Sequence, residues 1–298
     1  MTSTTPDLRH ISVLGCGLMG AGIAQVAAAA GYPTLVRDVD QAALARGRAS
    51  IEKSLAKLVE KGKVSPAGRD AALGRLRFTT DLAALRDSDL VVEAVTEDLA
   101  LKNHLWTALD ALCPPATIFA SNTSSIPIHA MAAATRRRDR FVGLHFFNPV
   151  PLMPLVEVVR PAAASRETFE RCLAFARSLG KETVVARDAP GFIVNLLLVP
   201  YLLDAVRALE RGVATVADID TAMRLGCGYP MGPFTLLDVV GIDTTVRISE
   251  ILFAEYQDPR YAAPALLQRM VARGWYGRKS GKGFYDYASD PPAPAPLP

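Results

Sequence analysis

His145 and Glu157 are the side chains whose types and settings best suit proton chemistry in this chain. Glu157 sits inside the apolar run Leu155-Val156-Glu157-Val158-Val159, where a carboxylate is costly unless it is paired. His145 closes another apolar run, Phe141-Val142-Gly143-Leu144, and an imidazole is a natural partner for such a carboxylate. With an ordinary pKa of about 6.5, imidazole can take a hydroxyl proton while a carboxylate orients its ring and stabilises the imidazolium. Oxidation of a secondary alcohol by hydride removal needs such a base. Residue types alone leave equal room for a second arrangement, a hydrogen-bonded core histidine beside a structural glutamate. Ser121-Asn122-Thr123-Ser124-Ser125 is a third polar segment, and serines at strand ends also cap turns.

A hydride needs an acceptor, and the start of the chain supplies a place for one. Gly15, Gly17 and Gly20 form a G-x-G-x-x-G run between the apolar stretch Ile11-Ser12-Val13-Leu14 and an Ala-rich helical stretch, residues 21–30, that ends at Gly31. Gly15 permits a tight strand-to-helix turn, Gly17 lets backbone approach a pyrophosphate, and Gly20 allows close helix packing. The helix N-terminus adds N–H donors and partial positive charge. A second strand, Thr34–Arg37, leads to Asp38, which sits where an acidic residue accepts hydrogen bonds from an adenosine ribose. That order favours NAD over NADP, although Arg37 beside Asp38 weakens the charge argument.

Further elements must hold these groups in place. Strands are predicted at 90–92, 117–120, 141–144, 155–159 and 183–185, separated by helical stretches such as Leu99–Leu112 and 166–179. This alternation implies an α/β doubly wound sheet, with the polar segments at strand ends where ligands bind in such folds. A long amphipathic helix carries Leu44, Ile51, Leu55, Leu58 and Val59 on one face and Arg48, Lys53, Lys57 and Lys61 on its basic remainder. From Pro190 onward the pattern is all helical. The chain is therefore expected to hold a nucleotide-binding domain over residues 1–188, a helical domain over 189–288, and a disordered proline-rich tail over 289–298. One helix is expected from near Pro190 to Gly212.

Composition excludes several classes. The 298 residues carry 33 Lys and Arg against 30 Asp and Glu, a net charge of +3 that does not imply a nucleic-acid surface. Cys16, Cys113, Cys172 and Cys227 lack paired spacing, and the four histidines lack ligand spacing, so neither a disulfide framework nor a metal site is expected. The polar stretch 1–10 lacks the apolar core of an export signal, and the run 191–203 is too short for a membrane span. A cytoplasmic protein without membrane contact is expected.

Six segments together carry a family resemblance. They are Gly15 through Gln25, Ser121 through Ser125, Gly143 through Val150, Pro190 through Asn195, Gly228 through Pro233, and Gly281 through Tyr285. In order and spacing they resemble the L-3-hydroxyacyl-CoA dehydrogenase family, most closely its single-function 3-hydroxybutyryl-CoA members, over nearly the whole chain. The resemblance implies a Rossmann-type domain followed by an all-helical domain, NAD as cofactor, an acyl-CoA substrate and a homodimer formed through the helical domain. It implies His145 as base, Glu157 as its partner, and Ser124 and Asn195 as the groups holding the substrate. On the cofactor side it implies the loop residues Gly15, Gly17, Leu18, Met19 and Gly20, with Asp38, Glu97, Lys102, Ser124, Asn148 and Lys279. For coenzyme A it implies Ser54, Lys61 and Ser124.

The sequence departs from the family at Cys16 inside the glycine loop, at Arg37 before Asp38, and at Leu196, where a basic residue is usual. Other readings are the same hydride chemistry on an acyl-carrier-protein thioester or a free hydroxy acid, and a nucleotide-binding protein without turnover.

Overall fold

The computed structural model describes residues 8–298, so part of the polar stretch expected to carry no export signal, residues 1–7, lies outside the described residues. The chain divides into two compact units, the first ending at Phe192 and the second comprising Ile193–Pro298.

The first unit is built on eight strands: β1 (Ile11–Leu14), β2 (Thr34–Arg37), β3 (Leu76–Thr79), β4 (Leu90–Glu93), β5 (Ile118–Ser121), β6 (Phe141–Phe146), β7 (Leu155–Arg160) and β8 (Glu182–Arg187). They form one sheet in the order β3-β2-β1-β4-β5-β6-β7-β8. Neighbours run parallel except β6 and β7, which pair antiparallel. Strand order reverses beside β1, the topological switch point of a doubly wound sheet. β3 gave no signal in the sequence, because four residues of alternating polarity at a sheet edge are too few for their period to stand out.

Helix α1 (Leu18–Ala29) starts three residues before its predicted position and buries Ala21, Ala24, Ala27 and Ala28. Small side chains let it lie close to the sheet. Gly15 adopts φ +99, a left-handed conformation that favours glycine, and a Cβ on Gly20 would overlap the Gly15 carbonyl oxygen. α2 (Gln41–Glu60) buries Leu44, Ile51 and Leu55, as its pattern predicts, and Asp40 caps it by accepting from the Ala42 N–H. α3 (Pro66–Gly74), α4 (Leu99–Leu112), α5 (Ile128–Ala132) and α6 (Arg166–Ser178) complete the unit.

The second unit contains α7 (Val194–Glu210), α8 (Val216–Gly226), α9 (Pro233–Val240), α10 (Ile242–Tyr256) and α11 (Ala265–Ala272) around a core that includes Leu202, Leu203, Phe234, Leu237, Leu252 and Phe284. The expected start of the long helix near Pro190 is corrected. Phe192 is held at φ 49, outside the right-handed helical region, so the helix opens only at Val194. The expectation of a disordered tail is also corrected: β10 (Ala293–Pro294) pairs antiparallel with β9 (Tyr285–Asp286), and the Ala295 N–H donates to the Phe284 carbonyl. Composition misjudged this tail because a few backbone hydrogen bonds to a neighbouring strand suffice to seat a short segment.

Candidate active site

His145 lies near the end of β6 and Glu157 in the middle of β7, and the antiparallel register sets the two directly opposite each other. Opposed residues project from the same face with Cβ atoms about 5 Å apart. The His145 Nδ1 accordingly lies 2.6 Å from the Glu157 Oε2. Glu157 is fully buried and His145 nearly so, which strengthens their electrostatic coupling. The imidazole packs against the rings of Phe147 and Phe192 at centroid distances of 4.5 and 5.6 Å. The pairing inferred from a carboxylate stranded among apolar residues is therefore present.

A second polar cluster occupies the loops after β4 and β5. Glu93, the last residue of β4 and wholly buried, accepts from the Lys102 Nζ at 2.6 Å, the Ser121 Oγ at 2.6 Å and the Val95 N–H at 2.7 Å. Lys102 also lies 3.3 Å from Glu97. Glu97 in turn accepts from the Thr123 hydroxyl at 2.9 Å and from the Ser124 N–H at 2.8 Å, with the Ser124 hydroxyl at 3.3 Å. Of the two adjacent serines, Ser125 is buried and Ser124 is half-buried. Asn122 ties this loop to β6, its Oδ1 accepting from the Phe146 N–H at 2.9 Å.

The nucleotide loop has the features a dinucleotide pyrophosphate requires. Gly17 caps α1 without any side-chain hydrogen bond, so the first-turn N–H groups keep their donor capacity for a ligand. A cavity of about 330 Å³ opens beside it, with Gly17, Leu18, Asp38, Arg46 and Ser50 in its walls. Asp38 is steadied by the Cys16 and Val39 N–H groups, both donating at 2.7 Å. Arg37 turns to the Thr80 carbonyl at 3.3 Å. Cys16 is buried, and desolvation together with the Asp38 charge pushes its thiol up to about 11, so it does not act as a thiolate near neutral pH.

A smaller adjoining cavity, about 100 Å³, brings Ser54 of α2 together with Asn148, Gln25 and Gly22. The loop bearing Asn148 is held from behind by Lys181, whose buried ammonium donates to the Val150 and Met153 carbonyls at 2.6 and 2.8 Å. Burial lowers the pKa of this lysine from its ordinary value. Lys61 caps the C-terminus of α2 at the surface. In the second unit, Asn195 stands in the first turn of α7, and the Lys279 Nζ lies 2.7 Å from the Asp243 carboxylate. Among the described residues no group of His, Cys, Asp and Glu is arranged to hold a metal ion.

Sequence reasoning missed Glu93, Asn122 and Lys181 as parts of this site. Glu93 carried a usable signal, since it ends the apolar run Leu90-Val91-Val92 just as Glu157 interrupts its own strand. Asn122 lies inside the polar segment 121–125, but its part, like that of Lys181, is to hold backbone groups distant in sequence, which the segment's composition does not reveal. For Glu97 and Lys102 the spacing alone resembles an exposed helix pair, whereas Lys102 is buried at 1% exposure.

A glycine turn at a helix N-terminus without a side-chain cap, an acidic residue after the second strand, and a buried His–Glu pair toward the same end of the sheet define a dinucleotide-dependent oxidoreductase. The family is set by comparison: residues 10–189 match the model of the 3-hydroxyacyl-CoA dehydrogenase NAD binding domain and residues 191–287 that of the 3-hydroxyacyl-CoA dehydrogenase C-terminal domain. The chain belongs to the 3-hydroxyacyl-CoA dehydrogenase family, and its cofactor is NAD. It is 49% identical to the 3-hydroxybutyryl-CoA dehydrogenase of Mycobacterium tuberculosis, over 94% of this chain and 99% of that protein. It is 48% identical to the human mitochondrial hydroxyacyl-coenzyme A dehydrogenase, over 94% and 91% of the two. The crystal structure of (S)-3-hydroxybutyryl-CoA dehydrogenase PaaH1 from Ralstonia eutropha superposes with a TM-score of 0.91 at 40% identity, covering 95% of this chain and all of that one.

Proposed function

We propose that this NAD-dependent 3-hydroxyacyl-CoA dehydrogenase acts on short chains, 3-hydroxybutyryl-CoA foremost, with His145 as general base. The observation that carries the reading is the buried contact between His145 and Glu157. NAD, when bound, accepts the hydride from C3. His145 takes the C3 hydroxyl proton on Nε2, the nitrogen that Glu157 leaves available, and Glu157 stabilises the resulting imidazolium. Ser124, the more accessible of the paired serines, donates its hydroxyl to the C3 oxygen, while Asn195 holds the thioester end of the substrate. Gly15, Gly17, Leu18, Met19 and Gly20 cradle the pyrophosphate and Asp38 the adenosine ribose, with Glu97, Lys102, Asn148 and Lys279 as further cofactor contacts. Ser54 and Lys61 take the coenzyme A end.

The helical unit is the dimerisation surface in this reading. In this reading Leu197 on α7 and Leu225 at the end of α8, 63% and 72% exposed, belong to that surface. The four unpaired cysteines fit a reducing, cytoplasmic setting.

A panel of CoA esters of increasing chain length, assayed with NAD and NADP, tests the substrate. The highest kcat/KM is expected for the four-carbon (S)-ester with NAD. Greater activity on an acyl-carrier-protein thioester or a free hydroxy acid would replace this reading. Light scattering checks the dimer.

A further inference from the structure

The cluster after β4 and β5 closes into a ring. Glu93 bonds Lys102, Lys102 reaches Glu97, Glu97 accepts from Thr123, the Thr123 N–H donates to the Ser121 Oγ at 3.1 Å, and Ser121 returns to Glu93. Every side-chain partner of the two carboxylates in this ring has a proton to donate, which suits their ionised forms. Two carboxylates around one ammonium leave a single net negative charge.

Sheet topology places this charge on the path of the cofactor. β1, β4, β5 and β6 lie side by side and parallel, with Leu14 opposite Glu93, Glu93 opposite Ser121, and Ser121 opposite Gly143. The glycine turn that takes the pyrophosphate follows β1, and His145 lies two residues beyond Gly143. Strands about 4.8 Å apart put roughly 14 Å between these ends, so a dinucleotide running from the turn toward the base passes over the ring with its nicotinamide half.

We infer that the Glu93–Lys102–Glu97 ring makes the site discriminate between the oxidation states of the cofactor, favouring NAD⁺ over NADH, with Glu93 as the positioning residue that holds the charge in place. The oxidised nicotinamide carries one positive charge that the reduced ring lacks; a negative charge nearby acts equally on the pyrophosphate in both states, so only that difference enters the affinity ratio. One charge acting over about 10 Å at an effective dielectric near 20 changes an affinity ratio by on the order of tenfold. Glu93 is fully buried and satisfied within the protein, so its effect on the cofactor is electrostatic and not by contact.

The direction of the cofactor rests on the reading of His145 as the base. That reading is tested by turnover, whereas the inference is tested by binding alone, so each can fail separately. Equilibrium constants for NADH, from its fluorescence, and for NAD⁺, by competition, are to be measured for the wild type and for Glu93→Gln, Glu97→Gln and Ser121→Ala. Glu93→Gln keeps shape and removes charge, and is expected to weaken NAD⁺ about tenfold relative to NADH. Glu97→Gln, at a less buried position, is expected to shift the ratio in the same direction and serves if Glu93→Gln does not fold. Ser121→Ala opens the ring without changing its charge and is expected to leave the ratio within about twofold of wild type. An unchanged ratio in the folded charge variants, or an equal shift in Ser121→Ala, overturns the inference.

Discussion

Both units bury carboxylates, but the two sets are satisfied in different ways. Asp220 and Asp238 of the helical unit accept from backbone N–H groups: Asp220 from Phe234 and Thr235, Asp238 from Phe284 and Tyr285, with tyrosine hydroxyls completing each set. They fasten the start of α9 and the C-terminal hairpin in place. Burial raises the pKa of Asp238 while the two N–H groups and the Tyr287 hydroxyl act against that rise. Glu157 and Glu93 of the nucleotide-binding unit are each held to a titratable side chain, an imidazole and an ammonium, Glu93 with the Val95 N–H and the Ser121 hydroxyl besides. A carboxylate closed off by backbone donors fixes a chain path, whereas one paired with a titratable side chain keeps its charge available to whatever binds next to that partner.

The comparison predicts that substitutions in the first set lower stability and those in the second lower rate. The largest effect is expected for His145→Gln, with kcat down by at least about two orders of magnitude and the thermal midpoint nearly unchanged. Near-wild-type turnover would remove His145 from the mechanism. Asp220→Ala strips a cap from α9 and a partner from the Tyr285 hydroxyl. It should cost about 2 kcal/mol in denaturant unfolding, with kcat per folded molecule preserved. Loss of rate without loss of stability would erase the distinction between the two sets.

Glu157→Gln sharpens it, since the shape is kept and only the charge is lost. We expect kcat to fall about tenfold or more, because the imidazolium formed during oxidation loses its charged partner. Asp38→Ala should reduce the preference for NAD over NADP severalfold, measured as a ratio of kcat/KM, through lost ribose hydrogen bonds and relieved repulsion of a 2′-phosphate. The smallest effect is expected for the exposed Lys61→Ala. KM for a full CoA ester should rise a few-fold and that for a pantetheine-truncated ester should not, with added salt mimicking the substitution on the wild type. An equal loss on both esters would place Lys61 in the fold and not at coenzyme A.

Much of this was legible in the residues because the signals were local. The glycine turn, the helix after it and Asp38 fall within one βαβ unit, and Glu157 betrayed itself by its apolar neighbours. The edge strand β3, the delayed start of α7 and the seated tail were not legible. Each depends on backbone pairing or torsions that side-chain type only weakly constrains.

The sequence by itself determined the nucleotide turn, the alternation of strands and helices, and the need of a buried Glu157 for a partner. Only the tertiary structure decided that the partner is His145, because an antiparallel register between β6 and β7 sets residues twelve apart in the chain face to face. It likewise decided that Glu93, Lys102 and Glu97 form one cluster with Ser121 and Thr123. Parallel strands align the ends of β4 and β5, which are far apart along the chain, and the side chains that meet there are chosen by sheet order, which no local pattern encodes.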